Sequence, residues 1–319
     1  MSAPQATADE PAVSVQGLVY RYGERQALCG IDLEVRPGEI FALLGPNGGG
    51  KTTLFRILST YLMPSGGSAQ VGGYDVVRQP DAVRRCLGVL FQSPSLDVQL
   101  SVQENLRYHG YLFGLRGAVL RERIDASLAR VRLQDRAGER VGKLSGGLRR
   151  RAELAKAMLH QPQVLLLDEP STGLDPGARA DLTVALEELR ADDGITVVLT
   201  THLMDEAECA DRLAILDEGK VVALGTPAEL KETVGGDVIE IQGPDPEALY
   251  QEIQARYDHG VSLLNGTVHL ERPRGREVLA ELLPALTGKI ESVMLRQPTL
   301  EDVFLARTGH RFHKNRLEA

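Results

Sequence analysis

The chain has 319 residues, enough for two domains at about 150 residues each. Hydrophobic residues make up 43% and charged residues 25%, a globular composition that excludes a fibrous or largely disordered protein. The 44 Asp and Glu outnumber the 36 Lys and Arg, and a net charge of −8 argues against general nucleic-acid binding, which needs basic surface. We therefore expect no nucleic acid among the partners.

The two ends of the chain are predicted to be tails, a disordered one over residues 1–12 and a second over 310–319. The N-terminus lacks the basic and apolar regions of a signal peptide, and no apolar run reaches the roughly 18 residues of a membrane helix. The cysteines, Cys29, Cys86 and Cys209, are widely spaced and are expected to be reduced. These features indicate a soluble, cytoplasmic protein.

From residue 13 to residue 232, strand-like apolar runs alternate with helix-like segments. Ile40–Leu44, Val164–Leu167 and Thr196–Thr200 are short, apolar and unalternating, which is typical of central strands in a parallel sheet buried on both faces. Residues 93–160 are rich in Leu, Arg, Glu and Ala and predict helices without strands. The fold class is therefore α/β, with a helical subdomain. From Leu115 to Arg151 there are eleven Lys and Arg and four Asp and Glu, a basic excess that indicates either an ordinary solvated helix face or a surface for an anionic partner.

A phosphate-binding loop follows the first of these strands. Its residues are Gly45, Pro46, Asn47, Gly48, Gly49, Gly50, Lys51, Thr52 and Thr53, and a helix is predicted over Leu54–Tyr61. The pattern GxxxxGK[ST] is the P-loop, whose glycines let backbone N–H groups wrap a phosphate. Lys51 would place its charge on the β- and γ-phosphates, and Thr52 would offer a hydroxyl to Mg²⁺. The motif therefore predicts a site for a nucleoside triphosphate.

Two carboxylates, Asp168 and Glu169, follow the buried strand Val164–Leu167. Ligands of open α/β sheets bind at the carboxyl ends of the strands. We therefore expect Asp168 to hold Mg²⁺ through its water shell and Glu169 to polarise the attacking water. An acidic pair at a strand end is more often only a turn, but the P-loop on the same chain favours the catalytic interpretation.

A third motif, Leu144-Ser145-Gly146-Gly147-Leu148 followed by three arginines, begins a helix predicted to extend to His160. Serine and two glycines at a helix start can bind an anion, although alone they are usually a simple N-cap. In this order with the P-loop and the Asp-Glu pair, the motif resembles the signature of the ATP-binding cassette (ABC) ATPases. Leu148 departs from the usual Gln, which leaves the contacts of Ser145 and the backbone intact.

The resemblance covers about residues 13–230 and implies roles for further residues. Tyr22 would stack on adenine, although a tyrosine at a strand end is also ordinary. Gln92 would touch Mg²⁺ and sense a membrane partner, His202 would lie at the γ-phosphate, and Ser171–Asp175 is similar to the loop that crosses to a second monomer. The implied ligands are ATP and Mg²⁺. The implied set is Glu169 and His202 for catalysis; Tyr22, residues 45–53, Gln92, Ser145, Gly146, Gly147 and Asp168 for the nucleotide; and Thr52, Gln92 and Asp168 for the metal.

Residues 101–115 and Gln297–Gly309 resemble the drug-resistance-type exporters of this family. The resemblance implies an ATPase subunit, peripheral on the cytoplasmic side of the cell membrane, that powers efflux of a drug or lipid-like molecule through a separate multi-span subunit. It also implies a dimer with a second copy or a paralogous cassette. The alternative is an ABC ATPase acting on ribosomes or DNA, which normally carries two cassettes or a long inserted coiled coil. A small-molecule kinase would leave Ser145–Gly147 and His202 without a role.

Residues 233–309 are predicted to form a second domain of α+β type. Its expected order is strand, helix, strand, strand, helix, strand, as in a ferredoxin-like unit, with a hairpin turn at Asn265-Gly266 and a final helix. The predicted elements are Asp237–Gln242, Asp245–Tyr257, Val261–Leu264, Thr267–Glu271, Gly275–Leu286, Ile290–Arg296 and Thr299–Thr308. Because no catalytic motif occurs here, we expect an accessory role in dimer stability or regulation, with substrate recognition as the alternative.

Overall fold

A computed structural model of the chain describes residues 10–257, 259–310 and 312. Most of the two predicted tails lies outside these residues. Ala12, which the sequence assigns to the first tail, is instead part of the fold. Its amide donates to the carbonyl oxygen of Val35 and its carbonyl accepts from the amide of Gly72, both at 2.8 Å.

The chain divides into two compact units, Met1–Leu224 and Gly225–Ala319. The boundary predicted from the sequence, between residues 232 and 233, lies at the far end of the first helix of the second unit. That helix, Pro227–Glu232, packs against the last helix of the same unit. Among the helices that the structure describes, none is long and apolar enough to cross a membrane.

The first unit is built from alternating strands and helices. Its strands are β1 (Val13–Tyr22), β2 (Arg25–Val35), β3 (Ile40–Leu44), β4 (Gly66–Val71), β5 (Tyr74–Asp75), β6 (Leu87–Leu90), β7 (Val164–Asp168), β8 (Thr196–Thr201), β9 (Arg212–Asp217) and β10 (Lys220–Gly225). Its helices are α1 (Lys51–Leu58), α2 (Pro80–Cys86), α3 (Val102–Leu112), α4 (Gly117–Arg130), α5 (Gly146–Met158), α6 (Pro176–Asp193) and α7 (Met204–Glu208).

The central sheet of this unit has the strand order β10-β9-β3-β8-β7-β6, and the five strands from β9 to β6 are parallel. Every residue of β3, β7 and β8 is buried, as the unalternating apolar runs predict, because helices pack against these strands. Leu44 of β3 pairs with Thr201 of β8, and Asp168 of β7 pairs with Thr200. This register brings the carboxyl ends of three strands, and the residues that follow them, to one edge.

A second sheet, of order β2-β1-β4-β5, is antiparallel and was not identified as a sheet from the sequence. Register shifts interrupt the pairing of β1 with β2, so the two-residue alternation of buried and exposed side chains is broken. This sheet shares one apolar core with β3 and α1. Its hairpin closes between Tyr22 and Arg25, which are paired in register.

The helical subdomain consists of α3, α4 and α5, with short 3₁₀ turns at Gln134–Arg136 and Val141–Lys143. Helix α3 begins with a capping box in which the hydroxyl of Ser101 accepts from the amide of Glu104. Two histidines are packed inside: His160 stacks on Phe113 at 3.8 Å between ring centroids, and His109 lies 5.1 Å from the same ring. Burial lowers the pKa of each from 6.5 to about 4, with Lys156 adding to the shift at His109.

This burial predicts that the first unit becomes less stable in acid. Between pH 6.5 and 4 the unfolded chain takes up protons on His109 and His160 that the folded chain does not, so the free energy of unfolding falls as the pH falls. Each histidine contributes up to about 3 kcal/mol to this loss. Urea unfolding from pH 7.5 to 5 should show a flatter pH dependence for His109→Gln than for wild type, and no flattening for the exposed His259→Gln. Equal slopes in all three proteins would contradict the assignment.

The second unit contains strands β11 (Asp237–Gln242), β12 (Val261–Leu264), β13 (Thr267–Arg272) and β14 (Ser292–Arg296), and helices α8 (Pro227–Glu232), α9 (Pro246–Arg256), α10 (Gly275–Ala285) and α11 (Leu300–Thr308). The strands form an antiparallel sheet of order β12-β13-β11-β14, the arrangement expected for the ferredoxin-like order. Asn265 and Gly266 both have positive φ, 49° and 77°, as a type I′ turn requires. Helices α9 and α10 bury Leu249, Ile253 and Leu282 against the sheet, and Leu286, directly after α10, joins the same core.

Candidate nucleotide-binding site

The P-loop connects β3 to α1, and all nine of its predicted residues, 45–53, lie in this connection or in the first turn of the helix. Helix α1 begins at Lys51, earlier than the predicted Leu54, so Lys51, Thr52 and Thr53 are already helical. Gly50 has a φ of 107°, and a Cβ there would lie 2.9 Å from the carbonyl oxygen of Ala27. A Cβ on Gly45 would lie 2.3 Å from the carbonyl oxygen of Leu216. These two glycines are therefore required by close approach of neighbouring backbone.

Lys51 is held inside the loop. Its side chain is 4% exposed, and its Nζ donates to the carbonyl oxygens of Gly45 at 2.6 Å and Pro46 at 3.0 Å. Burial lowers the pKa of this amine, while the charges of Glu169 and Asp168 act in the opposite direction. The loop thus presents a preoriented ammonium beside the N-terminal end of α1, where anions are stabilised.

A cavity of about 220 Å³ lies against this loop. Its lining combines the predicted residues Tyr22, Lys51, Thr52 and Glu169 with Arg25, which sequence reasoning did not identify. The Arg25 guanidinium lies beside Gly48, only 3.6 Å from where a Cβ on that glycine would be. No local sequence pattern identifies Arg25, because it is the closure of the β1–β2 hairpin, in which Arg25 pairs with Tyr22, that brings it over the loop. A second cation therefore faces the phosphate cradle.

Glu169 is the centre of a polar cluster at the ends of β6, β7 and β8. Its Oε2 accepts from Gln92 Nε2 at 3.0 Å and from the Thr172 hydroxyl at 3.2 Å, and its Oε1 lies 3.1 Å from His202 Nδ1. The contact with His202 is close but lacks hydrogen-bond geometry. Glu169 also has a φ of 45°, a left-handed conformation uncommon for glutamate. Two residues from distant parts of the chain, Gln92 and His202, thus converge with the neighbouring Thr172 on one carboxylate.

Asp168 is buried next to this cluster. Its Oδ1 accepts from the Thr200 hydroxyl at 2.6 Å, and the same hydroxyl accepts from the Glu169 amide at 3.0 Å. Burial raises the pKa of Asp168, while the hydrogen bond from Thr200 acts in the opposite direction. A nearby cation would favour the ionised form, because opposite charges stabilise one another where solvent is excluded.

Ser145 is the N-cap of α5, and its hydroxyl accepts from the amide of Leu148 at 3.3 Å. Gly146 and Gly147 form the first turn, and a Cβ on Gly147 would lie 2.8 Å from the side chain of Ala178. Among the described residues that line the 220 Å³ cavity, none belongs to this turn. A single chain therefore does not bring its signature motif to its own P-loop cavity.

The basic excess predicted for Leu115–Arg151 is partly offset by acidic residues from elsewhere in the chain. Helix α6 supplies carboxylates to three of these arginines, and Arg150 is buried against Glu153. The pairs to α6 are Arg130 with Asp192 and Asp193, Arg132 with Glu188, and Arg151 with Asp181. The surface is therefore less basic than the segment alone predicts, and its role toward an anionic partner stays a prediction.

Two family models match the chain: the ABC transporter model over residues 28–172, and the C-terminal domain of ATP-binding proteins similar to DrrA1-3 over residues 225–308. The daunorubicin resistance ATP-binding protein DrrA3 of Streptomyces coeruleorubidus is 40% identical, over 94% of this chain and 96% of its own. The Nod factor export ATP-binding protein I of Rhizobium sp. (strain N33) is 39% identical, over 95% of this chain and 99% of its own.

Solved structures show the same likeness. The cbiO1 protein of Clostridium perfringens, part of the ABC transporter complex cbiONQ, superposes with a TM-score of 0.66 at 28% identity, over 78% of this chain and 97% of its own. A dimeric ATP-binding cassette bound to ADP and Pi superposes with a TM-score of 0.60 at 28% identity, over 67% of this chain and 98% of its own. With relatives this similar over nearly the whole chain, the protein belongs to the ATP-binding subunits of the ABC transporters.

Proposed function

We propose that this chain is the ATP-hydrolysing subunit of an exporter that moves a drug-like or lipid-like molecule through a separate membrane subunit. The observation that carries the proposal is the convergence of the P-loop, Glu169, Gln92 and His202 at one edge of the sheet. Relatives named for daunorubicin resistance and for Nod factor export support efflux, and both names denote ATP-binding proteins. A role on ribosomes or DNA has no comparable support.

ATP binding begins at the P-loop. The amides of residues 45–53 and the positive end of α1 would hold the phosphates, and the Lys51 ammonium would move from its carbonyl partners to the β- and γ-phosphates. Tyr22 lines the cavity and is 45% exposed. The rings of Tyr20 and Tyr22 meet edge to face, with 4.8 Å between their centroids. An exposed ring in this place is suited to stack on adenine. Arg25 would add a charge-assisted contact to the phosphates.

Mg²⁺ is proposed to bind with the nucleotide at Thr52, Gln92 and Asp168. Their hydroxyl, amide and carboxylate oxygens are the ligands that Mg²⁺ prefers, and the metal is usually shared with substrate phosphates. Among the described residues, no group of three or more His, Cys, Asp and Glu side chains could hold a metal by itself, so this donor set depends on the nucleotide. When bound, Mg²⁺ neutralises charge on the β- and γ-phosphates.

Hydrolysis is assigned to Glu169 and His202. The Glu169 carboxylate would accept a hydrogen bond from the attacking water and increase its nucleophilicity. Gln92 and Thr172 donate to its Oε2 and so hold the carboxylate in one orientation, which leaves Oε1 facing His202. His202, beyond the end of β8, is placed to contact the γ-phosphate and to keep the water in line.

A complete site is proposed to require two chains. The Ser145 motif has the donors of an anion site but does not line the cavity of its own chain, so it would close over ATP on the P-loop of a partner. The dimeric cassette among the structural relatives supports this arrangement. A second copy of this chain is the simplest partner, with a paralogous cassette as the alternative.

The composite site predicts complementation between two inactive variants. A dimer of one Lys51→Ala chain and one Ser145→Arg chain keeps one site in which both contributing motifs are wild type. An equimolar mixture that exchanges freely should therefore recover about a quarter of wild-type ATPase activity, since half of its dimers are mixed and each has one of two sites. The control is the double variant Lys51→Ala/Ser145→Arg mixed equally with wild type: its mixed dimers contain no intact site, so about a quarter of wild-type activity should remain, from wild-type dimers, against about half if each chain carried its own site. Absence of recovery while native mass spectrometry shows mixed dimers would contradict the shared site.

The membrane partner is proposed to contact helix α3. Tyr111 and Leu112 follow Tyr108 by three and four positions, so all three side chains lie on one side of this helix. They are exposed, Leu112 to 82%, although large apolar side chains are usually buried. An apolar helix face beside the Gln92 segment suits a protein partner whose movement follows the nucleotide state.

The second unit, with its own core, is proposed to stabilise the dimer or regulate it.

A further inference from the structure

The three consecutive arginines in the first turns of α5 have three different environments. Arg149 donates from Nε and Nη2 to the carbonyl oxygens of Val141 and Gly142, in the 3₁₀ turn before the helix. Arg151 pairs with a carboxylate of α6. Arg150, between them, is only 8% exposed and points into the polar cluster around Glu169. The family signature explains a basic residue after its glycines but assigns nothing to this buried one.

Arg150 binds the backbone on both sides of Glu169. Its Nε donates to the carbonyl oxygen of Pro170 at 2.7 Å, and its Nη2 donates to those of Asp168 at 3.2 Å and Glu169 at 3.3 Å. Its Nη1 donates to the carbonyl oxygen of Phe91, the residue before Gln92, at 2.8 Å. A planar guanidinium has five N–H donors in a fixed arrangement. The guanidinium of Arg150 donates to four carbonyl oxygens, which belong to two separate segments of the chain.

Glu153, one helical turn after Arg150, completes the connection. Its Oε2 accepts from Arg150 Nη1 at 2.9 Å, and its Oε1 accepts from the amide of Ser95 at 2.7 Å. Lys156, the next residue on this face, donates to the carbonyl oxygen of Ser95 at 2.9 Å. Helix α5 is therefore hydrogen-bonded to both ends of the segment from Phe91 to Ser95. Gln92, within this segment, donates in turn to Glu169.

Glu169 needs such support because its backbone is left-handed, with a φ of 45°. Conformations of this kind persist in non-glycine residues only where surrounding contacts hold them. The carbonyl bonds from Arg150 are contacts of this kind, and they come from the helix whose N-cap is Ser145.

We propose that Arg150 is a positioning residue that fixes the backbone of Glu169 and of the Gln92 segment, and so makes hydrolysis depend on the position of helix α5. The proposal rests on the catalytic role proposed for Glu169. Arg150 would not touch ATP, so its loss should lower kcat and leave the affinity for ATP unchanged. If Arg150 only stabilised the fold, its loss would not lower kcat while leaving the affinity for ATP unchanged.

The test is Arg150→Lys, which keeps the positive charge beside Glu153 but loses the fork that reaches several carbonyls. We expect kcat for ATP to fall between about ten- and a hundredfold, the size of effect that a small misplacement of a reacting group produces, with KM and Mg-ATP binding as in wild type. The matched control is Arg212→Lys. Arg212 is another largely buried arginine, paired with Glu39 at 3.0 Å, but it lies at the opposite ends of the strands.

A second measurement separates positioning from a general loss of structure. In single-turnover assays, adding Arg150→Lys to Glu169→Gln should cost much less rate than Arg150→Lys costs in wild type, because the carboxylate that Arg150 and Gln92 position is already gone. If Arg150→Lys does not fold, the neutral pair Arg150→Gln with Glu153→Gln replaces it, with the same expected drop in kcat.

Three results would overturn the proposal: equal kcat for Arg150→Lys and Arg212→Lys, a rise in KM without a fall in kcat, or a full additional loss in the Glu169→Gln background. Wild-type turnover by Glu169→Gln itself would instead overturn the role of Glu169, and the single variant therefore distinguishes the two failures.

Discussion

Glu169→Gln is expected to bind ATP as tightly as wild type and to hydrolyse it at least about a hundredfold more slowly, the usual contribution of a general base. The substitution keeps the shape of the side chain and can still hydrogen-bond to Gln92 and Thr172, but an amide accepts a proton from water poorly. Glu169 is 9% exposed, so bulk water cannot readily substitute for the lost carboxylate. The measurement is steady-state ATPase activity together with equilibrium binding of Mg-ATP.

Glu39→Gln is the matched control for this prediction. Glu39 is also a buried carboxylate, 7% exposed, but it precedes β3 and pairs with Arg212 at the amino ends of the strands. Its substitution should lower stability and leave turnover near the wild-type value. Turnover of Glu169→Gln equal to wild type, or an equal loss in both variants, would show that the carboxylate at the end of β7 is not the catalytic group.

Lys51→Ala is expected to weaken ATP binding by about 10- to 100-fold, since a hydrogen bond to a charged group contributes roughly 1.5–3 kcal/mol. The ammonium is preoriented by the carbonyl oxygens of Gly45 and Pro46, and its removal also leaves those two acceptors without their donor. Binding of Mg-ATP measured by calorimetry should report the loss directly. Lys289→Ala, at an exposed lysine of the second unit, should bind like wild type. Unchanged affinity of Lys51→Ala would place the phosphates elsewhere.

The features predicted most accurately were those encoded by neighbouring residues. The P-loop directly follows its own strand, and the Asp168-Glu169 pair directly follows another, so each of the two motifs lies within a short stretch and is set by local backbone rules. The ferredoxin-like order of the second unit was predicted for the same reason, from consecutive strands and the Asn265-Gly266 turn. Within these features the differences lie at the ends: α1 begins at Lys51 rather than Leu54, and the two units divide before α8 rather than after it.

The antiparallel sheet formed by β1, β2, β4 and β5 was not anticipated. Its two hairpins, β1–β2 and β4–β5, are separated along the chain by β3, the P-loop and α1, and register shifts interrupt the pairing of β1 with both neighbours, so no local pattern indicates that the hairpins form one sheet. Arg25 was missed with it, because only the closure of this sheet brings the β1–β2 turn over the phosphate cradle.

By itself the sequence determined that this chain carries a nucleotide site, because the glycines, Lys51 and Thr52 are contiguous and their chemistry depends on local backbone geometry. Only the tertiary structure decided what surrounds Glu169, since the parallel sheet brings Gln92, beyond the end of β6, together with Thr200 and His202, at the end of β8. The same holds for Arg149, Arg150 and Arg151. They are identical in the sequence, and only the packing of helix α5 buries the middle one against the backbone of Glu169 and Pro170.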